Sequence, residues 1–208
     1  MLTVASVADL RPGDLGFSSI RGRVGAGVLA GQTSIDLAAL LRARPVENAG
    51  WITHAYQVAA TGPGWALAVE AMPAGARRVL LTDTDRTGPG YAYVRLPDDA
   101  GPAGWQRTAT LAAYDMVGTP YGFAQYAALA GLVLTGGTTA DTRGPLARYV
   151  NRRHPNTGLP VRVICSQLVD EALRVAGVHL FDDGRPPQYV TPGALFWRAA
   201  QLGAVCIG

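Results

Sequence analysis

The chain has 208 residues, of which 49% are hydrophobic and 16% are charged, a composition that suits one domain with a packed core and excludes a disordered polymer. The formal net charge is +3, and every arginine is isolated except in the pairs Arg77-Arg78 and Arg152-Arg153. Because no basic patch is interleaved with aromatic residues, no nucleic-acid partner is expected, and a solvated surface is preferred over an affinity for anionic polymers or lipid head groups.

The N-terminal segment and the cysteines bear on the cellular compartment. The first ten residues, MLTVASVADL, carry one acidic residue and no basic segment, so no signal peptide is predicted. We therefore expect the protein to be cytoplasmic at synthesis, with release by lysis or incorporation into a phage particle as routes out of the cell. The two cysteines, Cys165 and Cys206, are too few for a disulfide framework, although a single bridge between them stays open.

The first half of the chain predicts one helix and an antiparallel meander. A turn at 11–14 leads into a strand from Leu15, and apolar spacing predicts a helix over 35–45. Turn residues separate four segments with strand patterns, at 51–60, 65–72, 77–83 and 91–96. We expect these strands to form a small, barrel-like sheet.

The second half of the chain is predicted to be mainly helical. Helical patterns cover 105–118, 123–134 and 165–176, and a short helix is expected near the C-terminus. The uncharged stretch 116–140 contains an apolar run, 126–134, that is too short to cross a bilayer, so a buried helix is preferred over a membrane contact. The segment 135–160, which is rich in Gly, Thr, Arg and Pro, is expected to be a long loop or insertion.

The order of these elements predicts the fold class. Strands precede helices along most of the chain, which favours an α+β fold with an antiparallel sheet packed against a helical layer. No internal repeat and no long linker divides the sequence, so residues 1–208 are predicted to form a single domain.

Cys165 is the candidate nucleophile, because it opens the helix predicted over 165–176. A thiol reacts as the thiolate, and the N–H groups and positive dipole end of a helix N-terminus stabilise that charge. The same N–H groups could hold the oxyanion formed from an attacked carbonyl. A buried and inert cysteine at a helix start is the competing interpretation.

His54 is the candidate base among three histidines. It lies within a predicted strand, on the face shared with Ile52, Tyr56 and Val58. A satisfied core histidine is the competing interpretation of such a position, so the assignment depends on a partner for the ring.

The hairpin that follows His54 supplies a carboxylate. With a three-residue loop at 61–63, His54 lies directly opposite Glu70, and their Cβ atoms are roughly 5 Å apart. Burying Glu70 in the apolar segment LAVEAM is costly without a partner. The carboxylate would fix one ring nitrogen and leave the other to accept a proton from the thiol. A register error of one residue would place Glu70 on the other face.

A thiol at a helix N-terminus and a His–carboxylate pair on a sheet resemble papain-like active sites. The order His, acid, Cys along the chain resembles the permuted NlpC-type or YiiX-like cysteine hydrolases, which include relatives of lecithin retinol acyltransferase. The matching pieces are short and are spread along the chain from residue 11 to residue 173. They are RPGDLGF (11–17), ITHAYQV (52–58), AVEAM (68–72), GTPYGF (118–123) and ICSQLVDEAL (164–173). The segment 135–160 has no counterpart and could shape a substrate groove or a binding surface.

The resemblance implies a circularly permuted papain-like fold and catalysis by Cys165, His54 and Glu70. It also implies a substrate class, the peptide stems of the bacterial cell wall, which would be cleaved at an amide bond by acyl transfer. Tyr56 and Tyr121 are candidate substrate-binding residues, with packing as the competing interpretation of each. No cofactor is expected, and no metal site is predicted, because the three histidines are far apart and no Cys-x-x-Cys is present.

Two alternative functions stay open. An acyltransferase or lipid thioesterase could use the same three residues, and the apolar helix predicted over 123–134 would suit a lipid. A non-catalytic binding or structural module, such as a component of a phage particle, would retain the three residues as a relic. The sequence indicates no oligomeric state.

Overall fold

A computed structural model of the chain describes residues 6–20, 22–40, 51–83, 90–125, 145–183, 185 and 187–207. The described helices and strands, in chain order, are β1 (Leu15–Ser18), α1 (Gly22–Leu40), β2 (His54–Gly62), β3 (Trp65–Met72), β4 (Gly75–Leu81), β5 (Tyr91–Arg95), α2 (Trp105–Asp115), α3 (Pro145–Val150), α4 (Cys165–Val175), α5 (Pro192–Leu202) and β6 (Ala204–Ile207). The architecture is α+β with an antiparallel sheet, which confirms the predicted fold class at that level.

Within the described residues, six strands form one antiparallel sheet in the order β4-β3-β2-β1-β5-β6. Strands β2 to β4 form the predicted meander, but the expectation that β5 continues it is wrong, because β5 pairs with β1. All four residues of β1 are buried, so both of its backbone edges need partners, and β2 and β5 supply them. The described strands leave β4 and β6 at the edges, so the sheet is open where a barrel-like form was expected.

An ion pair fastens β5 beside β1. Asp14 lies directly before β1, and its two carboxylate oxygens accept hydrogen bonds from Nε and Nη2 of Arg95 at 2.8 and 2.6 Å. Two parallel N–H···O bonds of this kind fix the direction of both side chains. They therefore help to set a pairing between segments that are far apart in the sequence.

The two faces of the sheet bury different sets of residues. Helices α2 and α4 pack against each other and against β2 on one face. Alternate strand residues such as Ala55 and Val69 join Leu168 of α4 in the main hydrophobic core. The other set of strand residues, which includes Tyr56 and Val58, forms a second, smaller core.

The helices match the predictions in the second half of the chain better than in the first. α2 and α4 lie within the predicted 105–118 and 165–176. α1 begins at Gly22, well before the predicted 35–45. The prediction missed this start because the glycine-rich first part of the helix lacks a clear apolar period. Helix α3 lies inside 135–160, the segment that is expected to be a long loop or insertion.

Two further predictions meet the limits of the described residues. The apolar run 126–134 lies outside them, so its predicted helical form is not described. Among the helices that are described, none is long and apolar enough to cross a membrane. Strand β6 was not predicted, since four residues are too few to give a pattern.

Candidate active site

Cys165 is the first residue of α4, as predicted, and its thiol, which is not part of a disulfide, has no exposed surface. The extended residues before it are held by a neighbouring loop. Val163 N–H donates to the carbonyl of Pro120, and the carbonyl of Val163 accepts from Gly122 N–H, both at 3.0 Å. The N-cap residue, Ile164, provides no side-chain cap. The start of the helix therefore keeps N–H groups that suit a thiolate or an oxyanion.

His54 and Glu70 form a buried pair, in which Nε2 of the imidazole lies 2.8 Å from Oε2 of the carboxylate. Both side chains are at most 2% exposed. An ionised carboxylate only accepts hydrogen bonds, so the ring donates through Nε2. The other ring nitrogen, Nδ1, is then available to a second partner.

The predicted direct opposition of His54 and Glu70 is wrong, although the predicted face is right. Tyr56 lies opposite Glu70 in the sheet, and His54 comes two residues before Tyr56 on the same face of β2. The imidazole and the carboxylate are therefore diagonal neighbours, a separation that long side chains span.

The observed hairpin differs from the predicted one in two ways, and together the two differences leave Glu70 on the same face of the sheet as His54. The loop contains two residues, 63–64, rather than three. Continued along the ladder, that register would pair Glu70 with Gln57 and turn the carboxylate away from His54. A β-bulge at Ala59 shifts the register by one residue and returns Glu70 to the face of His54.

The protonation of His54 is coupled to its two partners. Burial lowers the pKa of the ring, but side-chain interactions with Cys165 and Glu70, together with their charges, outweigh burial and raise the pKa from 6.5 to about 9. Nδ1 is buried and has no hydrogen bond of regular geometry among the described residues, while the thiol of Cys165 is close enough to raise the pKa of the ring. Such contacts in catalytic sites are often loose before substrate binds. The ring therefore sits between a thiol and a carboxylate.

Arg77 extends this series of contacts by one residue, which the sequence patterns did not single out. Its Nε and Nη2 donate to Oε1 of Glu70 at 3.0 and 2.8 Å, so the two carboxylate oxygens serve different partners. Arg77 lies directly opposite Glu70 in the β3–β4 hairpin. The short turn at 73–74 was the available signal. The Arg77 side chain is 51% exposed, so the series ends in solvent.

A pocket of about 480 Å³ opens beside these residues. It is lined by His54, Glu70 and Arg77 and by the hydroxyl-bearing Ser18 and Ser19. The pocket reaches the imidazole, whereas the sulfur of Cys165 is fully buried. A substrate carbonyl would therefore meet the sulfur only after a movement that exposes it.

Tyr56, a candidate substrate-binding residue, is fully buried next to His54. Its ring centroid lies 5.8 Å from that of His54, and its hydroxyl donates to the hydroxyl of Tyr93 at 3.2 Å. The ring also covers Gly16, which lies opposite it on β1. In this arrangement Tyr56 packs the second core and does not line the pocket.

Tyr121, the other candidate, lies beside the segment that leads to Cys165. It forms a parallel bridge with Val163, and its ring packs edge-on against Phe123 with centroids 4.8 Å apart. The side chain is almost fully buried. Its position supports the start of α4 and leaves little surface for a ligand.

The side chains at this site carry groups that nucleophilic catalysis requires. A thiol, an imidazole and a carboxylate follow one another, as in the general scheme of a nucleophile, a base and a group that orients the base. Among the described residues, no cluster of His, Cys, Asp or Glu is arranged to hold a metal ion.

Comparison with known proteins adds no relative to this picture. No family model matches the chain, and no curated protein matches its sequence. The interpretation of the site therefore depends on its geometry and chemistry.

Proposed function

We propose that this chain is a cysteine hydrolase of the permuted papain-like kind, with Cys165 as the nucleophile, His54 as the base and Glu70 as the group that orients the base. The observation that supports it most is one buried imidazole that pairs with a carboxylate at 2.8 Å and whose pKa the thiol of Cys165 raises. A histidine with a purely structural role would need polar partners, but it would not need a thiol at a helix N-terminus.

The proposed reaction is acyl transfer. Nδ1 of His54 takes the proton of the Cys165 thiol, and the thiolate adds to the carbonyl carbon of an amide. N–H groups at the start of α4 stabilise the oxyanion. The imidazolium then protonates the leaving nitrogen, the C–N bond breaks, and a thioester remains on the sulfur. Water, deprotonated by the same imidazole, hydrolyses the thioester and releases the acid and the free thiol.

The proposed substrate class is a peptide of the bacterial cell wall, and it comes from the resemblance to permuted NlpC-type hydrolases. The hydroxyls of Ser18 and Ser19 and the guanidinium of Arg77 offer polar partners for a peptide in the pocket. The acyl-lipid alternative depended on the apolar helix predicted over 123–134. Only residues 123–125 of that segment are described, and they give the alternative no support.

Alkylation by iodoacetamide tests the catalytic assignment. The reagent is small, which matters because Cys165 has no exposed surface. Near neutral pH, peptide mass spectrometry is expected to show faster alkylation at Cys165 than at Cys206. His54→Ala is expected to slow the reaction at Cys165 roughly tenfold or more, because the thiolate loses its imidazolium partner. His179→Ala, at an exposed histidine, is the matched control and should leave the rate unchanged.

Equal, slow alkylation of both cysteines that is insensitive to His54→Ala would contradict a catalytic role.

A second experiment separates the substrate classes. The parent protein is incubated with muropeptides and, separately, with acyl lipids. Mass spectrometry should show cleavage of an amide bond in the muropeptides, and that cleavage should be absent from Cys165→Ala.

A further inference from the structure

A second pocket, of about 500 Å³, lies at the C-terminal end of α4. Its lining brings together the guanidinium groups of Arg153, Arg174 and Arg185 with the side chain of Phe181. Arg174 lies nine positions after Cys165 on one helix, so at about 1.5 Å per residue this pocket begins roughly 14 Å from the thiol-bearing end. It is therefore separate from the candidate active site.

One buried carboxylate orients two of the three arginines. Glu171 has no exposed surface, and it accepts N–H groups from Arg153 at 2.7 and 3.0 Å and from Arg174 at 3.4 and 2.6 Å. Burial raises the pKa of Glu171, but the hydrogen bonds from Arg153 and Arg174 outweigh burial and hold the pKa below its usual value. Two guanidinium groups in fixed orientations thus share a single negative charge.

The third arginine adds charge next to an aromatic face. Cζ of Arg185 lies 4.6 Å from the ring centroid of Phe181. Nε of Arg185 donates to Oδ2 of Asp183 at 2.8 Å, and Nη2 lies 2.6 Å from the same oxygen of this exposed carboxylate. Three guanidinium groups therefore face two carboxylates, Glu171 and Asp183, and one positive charge remains.

Asp170 is a further carboxyl group close to this cluster. It lies in a small cavity shared with Arg174 and Arg185. Burial, and then the charge of Glu171, raise the pKa of Asp170 to about 7. At neutral pH Asp170 therefore offsets only part of the remaining positive charge.

We propose that this arginine pocket binds a small anion that carries phosphate or carboxylate groups. A guanidinium has five N–H donors, so each of the three arginines keeps N–H groups beyond those bound to Glu171 or Asp183. These remaining N–H groups suit the oxygens of a phosphate or a carboxylate. Because Glu171 already orients Arg153 and Arg174, little side-chain freedom is lost when an anion binds. The face of Phe181 offers an apolar contact to the organic part of a larger ligand.

Titration of the full chain with inorganic phosphate and, separately, with succinate tests the proposal at constant ionic strength. Arginine Nε–H signals are followed by nuclear magnetic resonance, and saturable shifts are expected for the pocket arginines with at least one of the two anions. Saturation by phosphate alone assigns a phosphoryl ligand, and saturation by succinate alone assigns a carboxylate ligand. No saturable shift with either anion would overturn the proposal.

Variants separate a built site from general attraction to a basic protein. Arg185→Gln is expected to weaken binding roughly tenfold, the loss of about one charge-assisted hydrogen bond. Arg107→Gln, on the exposed surface of α2, should leave binding unchanged. The double variant Arg153→Gln/Glu171→Gln removes one fork without stranding a buried carboxylate and keeps the net charge, and it should also weaken binding. Equal effects in Arg185→Gln and Arg107→Gln would refute the pocket.

Discussion

Replacing Arg77 with glutamine tests whether this residue is part of the candidate site or only a surface partner of it. Glu70 is buried while the Arg77 side chain is 51% exposed, so the pair lies between two limiting cases. Breaking a fully buried pair costs about 3–5 kcal/mol, and breaking an exposed one costs about 0–1 kcal/mol. Since two N–H groups bind one carboxylate oxygen, we expect the free energy of unfolding to fall by about 2 kcal/mol.

Urea denaturation of the parent, Arg77→Gln, Glu70→Gln and the double variant isolates the contribution of this contact. If the loss arises from the contact, the double variant is less destabilised than the sum of the single variants, by a coupling energy of about 2 kcal/mol. Arg78→Gln is the matched control, because Arg78 lies next on β4 and opposite Val69. It should change stability by less than about 0.5 kcal/mol. A coupling energy near zero, or an equal loss in Arg78→Gln, would refute the reasoning.

Two further predictions concern His54 and Tyr56. The pKa of His54 is raised from 6.5 to about 9, so its protonation stabilises the folded state fully below about pH 6.5, and this contribution is lost as the pH rises through about 9. The difference in unfolding free energy between the parent and His54→Gln should narrow over that range, and a constant difference would argue against the raised pKa. Gly16→Ala places Cβ 2.0 Å from the Tyr56 ring, so we expect a loss of about 1–3 kcal/mol. Gly27→Ala on α1 meets no atom within 4 Å and should stabilise by about 0.5–1 kcal/mol; equal shifts of the two melting temperatures would contradict this contrast.

The candidate site residues could be found from local patterns, because each occupies a position that its own segment defines. Cys165 precedes an amphipathic run whose apolar residues fix the helix and therefore its start. Glu70 is the single charged residue of the strand Trp65–Met72, and its burial demands a partner. One hairpin separates it from His54, so short-range geometry suffices to bring the two together.

The register of that hairpin could not be read from the same patterns. A β-bulge depends on how the strands twist and pack, and the alternation of apolar and polar residues around Ala59 does not indicate one. The predicted loop and the observed loop with its bulge differ by two residues of register at His54. Because that shift is even, the face was predicted correctly for an incomplete reason, and an odd shift would have separated His54 from Glu70.

Strand order shows the same dependence on distant residues. Chain order suggested that β5 would lie beside β4, its predecessor. The buried strand β1 has a second edge to satisfy, and β5 fills it with the help of the Arg95–Asp14 ion pair. Neither the burial of β1 nor the approach of Arg95 to Asp14 is visible in the residues around β5.

In the proposed function, the sheet decides whether the thiol on α4 can react. The helix start offers N–H groups to the sulfur in any case, but the imidazole accepts the thiol proton at Nδ1 only while Nε2 keeps its own. Oε2 of Glu70 holds that tautomer only when the carboxylate is ionised. Because the Glu70 side chain is 1% exposed, water does little to stabilise the ionised carboxylate. The two N–H groups of Arg77 on Oε1 supply this stabilisation instead. In the proposed mechanism, the reactivity of Cys165 on α4 therefore depends on the guanidinium of Arg77 on β4. Solvent and substrate can both reach this guanidinium.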